Sequence, residues 1–186
     1  NENKDIDAKK IFQVLDPEKA IHTFENLEFD IQNVLLSSFT FEQLSSTLNK
    51  ISPDDRTALF EHLPEEKLQK FLSILSDEER KVARSLLQYP ENSIGRLMTP
   101  DFVSVKEEWT VQQVLDYIRA NGKNSETMNL VYVTDHDGYL IDDIRVREFL
   151  LAPLDKKVSE LMDRQYFYLP AKADQEVAVN VFKQSN

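Results

Sequence analysis

The 186-residue sequence predicts an α+β protein: a superhelical repeat domain of short helices, then a strand, helix, hairpin and helix unit, then the start of a second such unit. Three observations carry this. Large apolar residues recur every twelve positions at Leu15, Leu27, Phe39, Ile51, Leu63, Leu75 and Leu87. From Ile94 the texture changes, with Gly95, Pro100 and an alternating extended stretch from Phe102 to Val105. A shift of 64 positions lays the stretch from Leu161 on the one that begins at Leu97.

A fixed period is the signature of stacked repeats. Three residues after each of the first six beats stands an acid: Glu18, Asp30, Glu42, Asp54, Glu66 and Glu78. Start signals open the segments between, at Asp16-Pro17, Thr40 to Gln43, Ser52 to Asp55, Pro64 to Glu66 and Ser76 to Glu79. Leu63, Leu68, Phe71, Leu72 and Leu75 fall near one helical face, opposite Glu65, Glu66, Lys67 and Lys70. A helix of about nine residues is only about 14 Å long, so it depends on stacking against its neighbours. Twelve residues is short for a helical repeat unless two helices make one unit.

In the second half, Thr110 caps a helix that buries Val111, Val114, Leu115 and Ile118 and ends near Gly122. The strand Leu130 to Val133 follows, then the turn Asp135 to Gly138, a strand from Tyr139 to Ile144 and a helix over about Arg147 to Leu151. Asp137-Gly138 between apolar runs is a hairpin signal. Asp135-x-Asp137-Gly138 lacks the fifth-position acid of a calcium loop and reads as the turn alone. On the 64-residue shift Leu97-Met98 meets Leu161-Met162, Val105 meets Leu169 and Thr110 meets Asp174. The domains are therefore 1–90 for the helices, 91–157 for the first unit and 158–186 for the start of the second, whose remainder is expected further along a longer chain.

Composition narrows the function. A net charge of -11 repels phosphate backbones and anionic lipid, so nucleic acid is excluded as a partner and cations are favoured. The apolar runs fall far short of the roughly 20 residues of a membrane span. Without cysteine there is no disulfide or thiolate metal site, which agrees with a cytosolic setting. The scattered His22, His62 and His136 and the three glycines make neither a triad nor a phosphate loop, and no enzyme is expected. Trp109 reads as a staple against Val114 or Tyr117.

The recurring acids have a structural reason, since a carboxylate in a helix's first turn meets the positive end of the macrodipole. The doubled acids Asp54-Asp55, Glu65-Glu66 and Asp77 to Glu79 exceed it, and consecutive helix starts can line one edge with them. A divalent cation relieves the repulsion of such carboxylates, about 1 kcal/mol per close pair in water. Asp54, Asp55, Glu66 and Glu78 are the metal-ligand candidates on this half.

The run Leu86-Leu-Gln-Tyr-Pro-Glu91, Gly95-Arg-Leu-Met-Thr-Pro-Asp-Phe-Val103, Thr110 to Leu115, Tyr132 to Asp135, Gly138 to Leu140 and Val158 to Met162 resembles the cystathionine-β-synthase (CBS) domain pair. With the repeat helices before it, the whole resembles the cytosolic N-terminal region of MgtE-type magnesium channels and transporters. The resemblance implies a homodimer through the CBS domains, with Mg²⁺ between acidic faces of the helical and CBS domains. It further implies that the filled sites keep a pore shut in a transmembrane domain, on whose cytoplasmic side this region sits. Asp54 matches a family metal-binding acid, and its partner one turn on falls at Ala58, which cannot ligate. CBS domains often grip a ribose with a hydroxyl residue and, three positions later, an Asp; here Arg145 and Glu148 stand there. Asp142-Asp143 occupies a place beside that cleft where a small residue is common; two acids there oppose a phosphate and attract a cation, or mark an exposed strand end. An adenosine-nucleotide-sensing CBS module of another protein is the alternative function.

Overall fold

The computed structural model describes residues 12, 14–122, 125 and 128–185. Residues 1–11 and 13 of the predicted helical domain lie outside them. The chain divides into two compact units, one of residues 1–98 and 170–186, the other of residues 99–169.

Among the described residues from Pro17 to Leu87 of the first unit, short helices follow one another: α1 (Pro17–Glu25), α2 (Phe29–Ser38), α3 (Phe41–Leu48), α4 (Pro53–Glu61), α5 (Glu65–Ile74) and α6 (Asp77–Leu87). Their starts follow the sequence signals. Asp16 accepts the N–H groups of Glu18 and Lys19, Thr40 and Gln43 form a reciprocal capping box, and Ser76 accepts from Glu79 N. Ser52 departs from this pattern, because its hydroxyl donates to Asp55 instead (3.0 Å).

The twelve-residue beat marks the junctions between helices. Leu27, Phe39, Ile51, Leu63 and Leu75 all fall just past a helix end, and only Leu87 lies inside one. Leu63 and Leu75, read in the sequence as part of one helical face, flank α5 rather than belong to it. There they close the core formed by Phe24, Leu35, Leu48, Leu59, Phe60, Phe71, Leu72 and Ala83.

The structural period is 24 residues. Helix α3 packs on α5 and α4 on α6, so in these pairs a helix meets its equivalent two elements along. Gln32, Arg56 and Arg80 share one task in successive units. Gln32 Nε2 donates to Phe24 O (2.8 Å), Arg56 Nη1 to Leu48 O (3.1 Å) and Arg80 Nε to Leu72 O (2.9 Å). Each satisfies a C-terminal carbonyl of the helix that begins the unit. The next link repeats too: Glu25 Oε1 accepts from Ser52 N (2.9 Å), and Asn49 Oδ1 from Ser76 N (2.7 Å).

The second unit holds β1 (Ser104–Val105), α7 (Val111–Asn121), β2 (Leu130–Thr134), β3 (Leu140–Arg145) and α8 (Val146–Leu151). Strand β1 pairs parallel to β2, with α7 as the crossover a parallel pair requires. Strands β2 and β3 form the expected antiparallel hairpin. Its turn holds Gly138 at φ +90°, a conformation glycine adopts without strain, while Asp135 Oδ1 accepts from Asp137 N and Tyr139 N. Those bonds keep Tyr139 in the turn, so the second strand starts one residue later than the sequence predicts. Thr110 makes a capping box with Gln113, and Trp109 meets Tyr117 edge to face. Val105, Val111, Val114, Val131, Val133, Ile144, Phe149 and Val158 form the core.

Asp142 sits on the core face of β3 beside Ile144 and is fully buried, not at an exposed strand end. It is held by main chain: Oδ1 accepts from Asp143 N (2.9 Å) and Oδ2 from Arg164 N (3.0 Å). Arg164 has φ +59°, so the buried carboxylate fixes a left-handed residue.

The last helix, α9 (Gln175–Ser185), belongs to the first unit. Ile94 N donates to Ala173 O (2.9 Å), Gly95 N to Ala171 O (2.7 Å) and Gln175 N to Asn92 O (2.8 Å). In the other unit, Val158 N donates to Trp109 O, Ser159 N to Glu107 O and Val111 N to Lys156 O, each at 2.9 Å. Moving every residue of one set by 64 positions produces the other. The opening segment of α9 is thus tied to the end of the helical repeats.

A candidate metal centre on the helical domain

Helix α1 ends at Glu25 and α4 begins with Asp54 and Asp55, and the 24-residue stacking brings the three carboxyls together. The Ser52 N–H and hydroxyl bind one acid each, Glu25 and Asp55. Burial raises the Glu25 carboxyl above its ordinary value; Asp55 and Asp54 add to the rise, while the Ser52 N–H and His22 oppose it. Burial likewise raises Asp55, with Asp54 adding and the Ser52 hydroxyl opposing. Asp54 Oδ1 is buried and has no hydrogen-bond partner. Arg56 does not neutralise the group, because its guanidinium is committed to Leu48 O and to the Glu79 carboxylate. Among the described residues Glu25 has His22 as its ion-pair partner, at 4.0 Å. Lys50 joins Glu18, His22 and Glu25 around the adjoining hollow of about 450 Å³.

The donor set is all oxygen, which suits a hard cation such as Mg²⁺. Among the described residues no three His, Cys, Asp or Glu side chains are grouped so as to hold a metal ion. Ala58, one turn after Asp54, is exposed and offers no oxygen from its side chain.

The other sequence candidates lie elsewhere. Glu66 and Glu78 are exposed in the first turns of α5 and α6, and neither contributes to the charge felt at Glu25 or Asp55. Two neighbouring acids are spent on arginines, Glu79 on Arg56 and Asp77 on Arg80 (3.1 Å). On β3, Asp143 is half-buried and its carboxyl is raised by burial, then by Asp142 and Asp163, against Arg145. Asp142 has both oxygens engaged by main-chain N–H groups. Arg145 occupies the N-cap position of α8 without a side-chain capping bond and is exposed, and Glu148 pairs with Arg147 (3.5 Å). Glu25 is the residue that sequence reasoning missed. It ends a helix rather than starting one, and its signal is the 24-residue match to Asn49, which also receives a serine N–H.

A stack of paired short helices joined to a small mixed sheet, with a carboxylate cluster on the helical part, defines the class: a helical domain followed by a CBS domain. The family model described as the MgtE intracellular N domain matches residues 1–92, and the CBS domain model matches residues 94–155. The chain belongs to the MgtE family, in the part formed by these two domains. It is 32% identical over 108 residues to the magnesium transporter MgtE of Thermus thermophilus, covering 58% of this chain and 24% of that protein. It is 27% identical over 150 residues to that of Bacillus subtilis, covering 81% and 33%. It thus spans a third or less of these curated relatives. Among solved structures it resembles the soluble part of a magnesium transporter, with a TM-score of 0.86 at 23% identity, over 97% of this chain and 72% of that one. It also resembles the cytosolic domain of the Mg²⁺ channel MgtE in complex with ATP, with a TM-score of 0.75 at 22% identity, over 95% and 82%. At these identities the likeness is one of fold. No helix among the described residues is long and apolar enough to cross a membrane.

Proposed function

We propose that this region senses Mg²⁺ on the cytoplasmic face of a membrane and controls a pore carried by another part of the same protein. The observation that carries the reading is the Glu25, Asp54 and Asp55 cluster, crowded, desolvated and with one buried oxygen unpartnered. Burial of like charges without a cation is costly, and an ion bound there favours whichever arrangement brings more oxygens to it. Asp143, raised by burial and then by Asp142 and Asp163 against Arg145, is a second place where acids crowd. Glu66 and Glu78 remain candidate ligands through surfaces they present to water. The matching hydrogen bonds at the 64-residue shift support reading residues from Val158 as the opening of a second CBS copy, and a homodimer through the CBS domains accompanies that reading. Adenosine-nucleotide sensing stands second, supported by the ATP complex of the related cytosolic domain. Arg145 and Glu148 in place of a hydroxyl and an Asp count against it.

Melting the chain in Mg²⁺ at millimolar concentration, against NaCl of equal ionic strength, tests the reading. A ligand at one hundred times its Kd stabilises by about 2.7 kcal/mol. The expected result is a Mg²⁺-specific rise in Tm, reduced in Asp54→Asn and Asp55→Asn. No rise beyond that in NaCl, together with a rise in ATP or AMP, replaces it with nucleotide sensing.

A further inference from the structure

A groove of about 520 Å³ opens between α2, α3 and α5, away from the acid cluster. Leu36, Phe39, Leu44 and Phe71 line it; Leu36, Leu44 and Phe71 are buried core residues, so its inner wall is apolar. Its rim carries Lys67 and Lys70, one helical turn apart on α5. The Lys67 ammonium donates to Asn33 Oδ1 and lies 5.4 Å from the centre of the Phe71 ring. Among the described residues neither lysine has an ion-pair partner, although Glu66 stands on the same rim. Burial and the charge of Lys70 both push the Lys67 ammonium below its ordinary pKa, and an anion between the two lysines would relieve both effects.

On a chain of net charge -11, this groove brings two lysines together at the edge of an apolar wall. We propose that this groove binds a small amphipathic anion, its carboxylate or phosphate held between Lys67 and Lys70 and its apolar body laid on Leu36, Phe39, Leu44 and Phe71. The occupant is a small molecule because the volume lies within the roughly 300–1,000 Å³ of small-ligand sites, whereas a helix of about 10–12 Å diameter overfills it. Charge complementarity sets the sign of its head group. Carboxylate and phosphate heads share this chemistry, and the probes below separate them.

Sodium octanoate, octyl phosphate and uncharged octanol, titrated below micelle-forming concentration into the ¹⁵N-labelled chain, provide the test. Octanoate or octyl phosphate is expected to shift amides within α2, α3 and α5, and the stronger of the two identifies the head group. Lys70→Gln, at an exposed position whose side chain has no ion pair among the described residues, is expected to weaken that binding about tenfold, and Lys67→Gln by at least as much. Asp54→Asn, in the acid cluster, is expected to leave it unchanged. Melting each variant separates lost binding from lost folding. Octanol binding as tightly as the anions, affinity unaltered by Lys70→Gln, or no shift in these helices on the order of 10 mM probe overturns the proposal.

Discussion

Replacing Arg56 with Met tests whether the 24-residue unit is held by its buried anchor. Arg56 is fully buried, donates to Leu48 O and Ile51 O, and pairs with Glu79, whose side chain is 31% exposed. Removing one partner of a buried ion pair costs about 3–5 kcal/mol. Because Glu79 can rehydrate, we reduce this to about 2–3 kcal/mol, partly offset by the apolar methionine stem. At about 2–4 °C per kcal/mol the helical unit melts about 4–12 °C lower. The repeat supplies its own controls. Arg80 makes equivalent bonds to Leu72 O and Leu75 O, but its side chain is 30% exposed and its partner Asp77 lies in water at 89%. Arg80→Met therefore costs about 1 kcal/mol, and Gln32→Leu, which loses one neutral hydrogen bond, about as much. Circular dichroism at helical wavelengths follows the first unit, while the single tryptophan, Trp109, reports separately on the second. An Arg56→Met protein that melts within about 2 °C of the parent, or no earlier than Arg80→Met, refutes the argument that burial sets the rank.

Three further outcomes follow from the geometry. Glu25 and Asp55 have folded pKa values above their ordinary 4.5 and 3.8, so the folded state binds more protons than the unfolded chain between those values and the raised ones. Stability falls as pH rises through that window; Glu25→Gln and Asp55→Asn should raise Tm at neutral pH and lose this advantage below about pH 4, and a gain that persists there contradicts the assignment. Asp142→Ala strands the Asp143 and Arg164 N–H groups and should cost about 2–3 kcal/mol, read as faster hydrogen exchange at those two amides than elsewhere in the second unit. Gly95→Ala places a Cβ 2.4 Å from the Tyr89 ring and should destabilise the first unit by about 1–3 kcal/mol, with Tyr89→Ala removing most of that difference.

The architecture was legible because its signals are local. Thr40, Thr110 and Asp16 cap helices wherever their spacing says so, and Asp135 to Gly138 turns a hairpin for reasons held within five residues. The 24-residue unit was half-visible, since the beat at Leu27, Ile51 and Leu75 is plain while its anchors are a glutamine and two arginines. Their shared task depends on what lies at the end of the helix stacked beneath them. Asp54 and Asp55 stood out as doubled acids at a helix start. Their neighbour Glu25 did not, because only the stacking of one repeat on the next brings it there. Asp142 was misread for the same cause: its burial depends on the chain near Arg164, twenty-two positions on, turning back over β3.

The repeat also constrains how a chain of this kind can change in length. Residues 28–51 form one full period, and excising them would join Leu27 to Ser52, which begins α4 as Glu28 begins α2. Arg56 would then face Phe24 O where Gln32 now does, and the carboxyl of Glu25 would still meet a helix start. A cut of twelve residues would instead confront each anchor with the wrong kind of helix. Ancestral duplications and losses in this part of the molecule should therefore come in steps of two helices, leaving the spacing of the remaining anchors untouched.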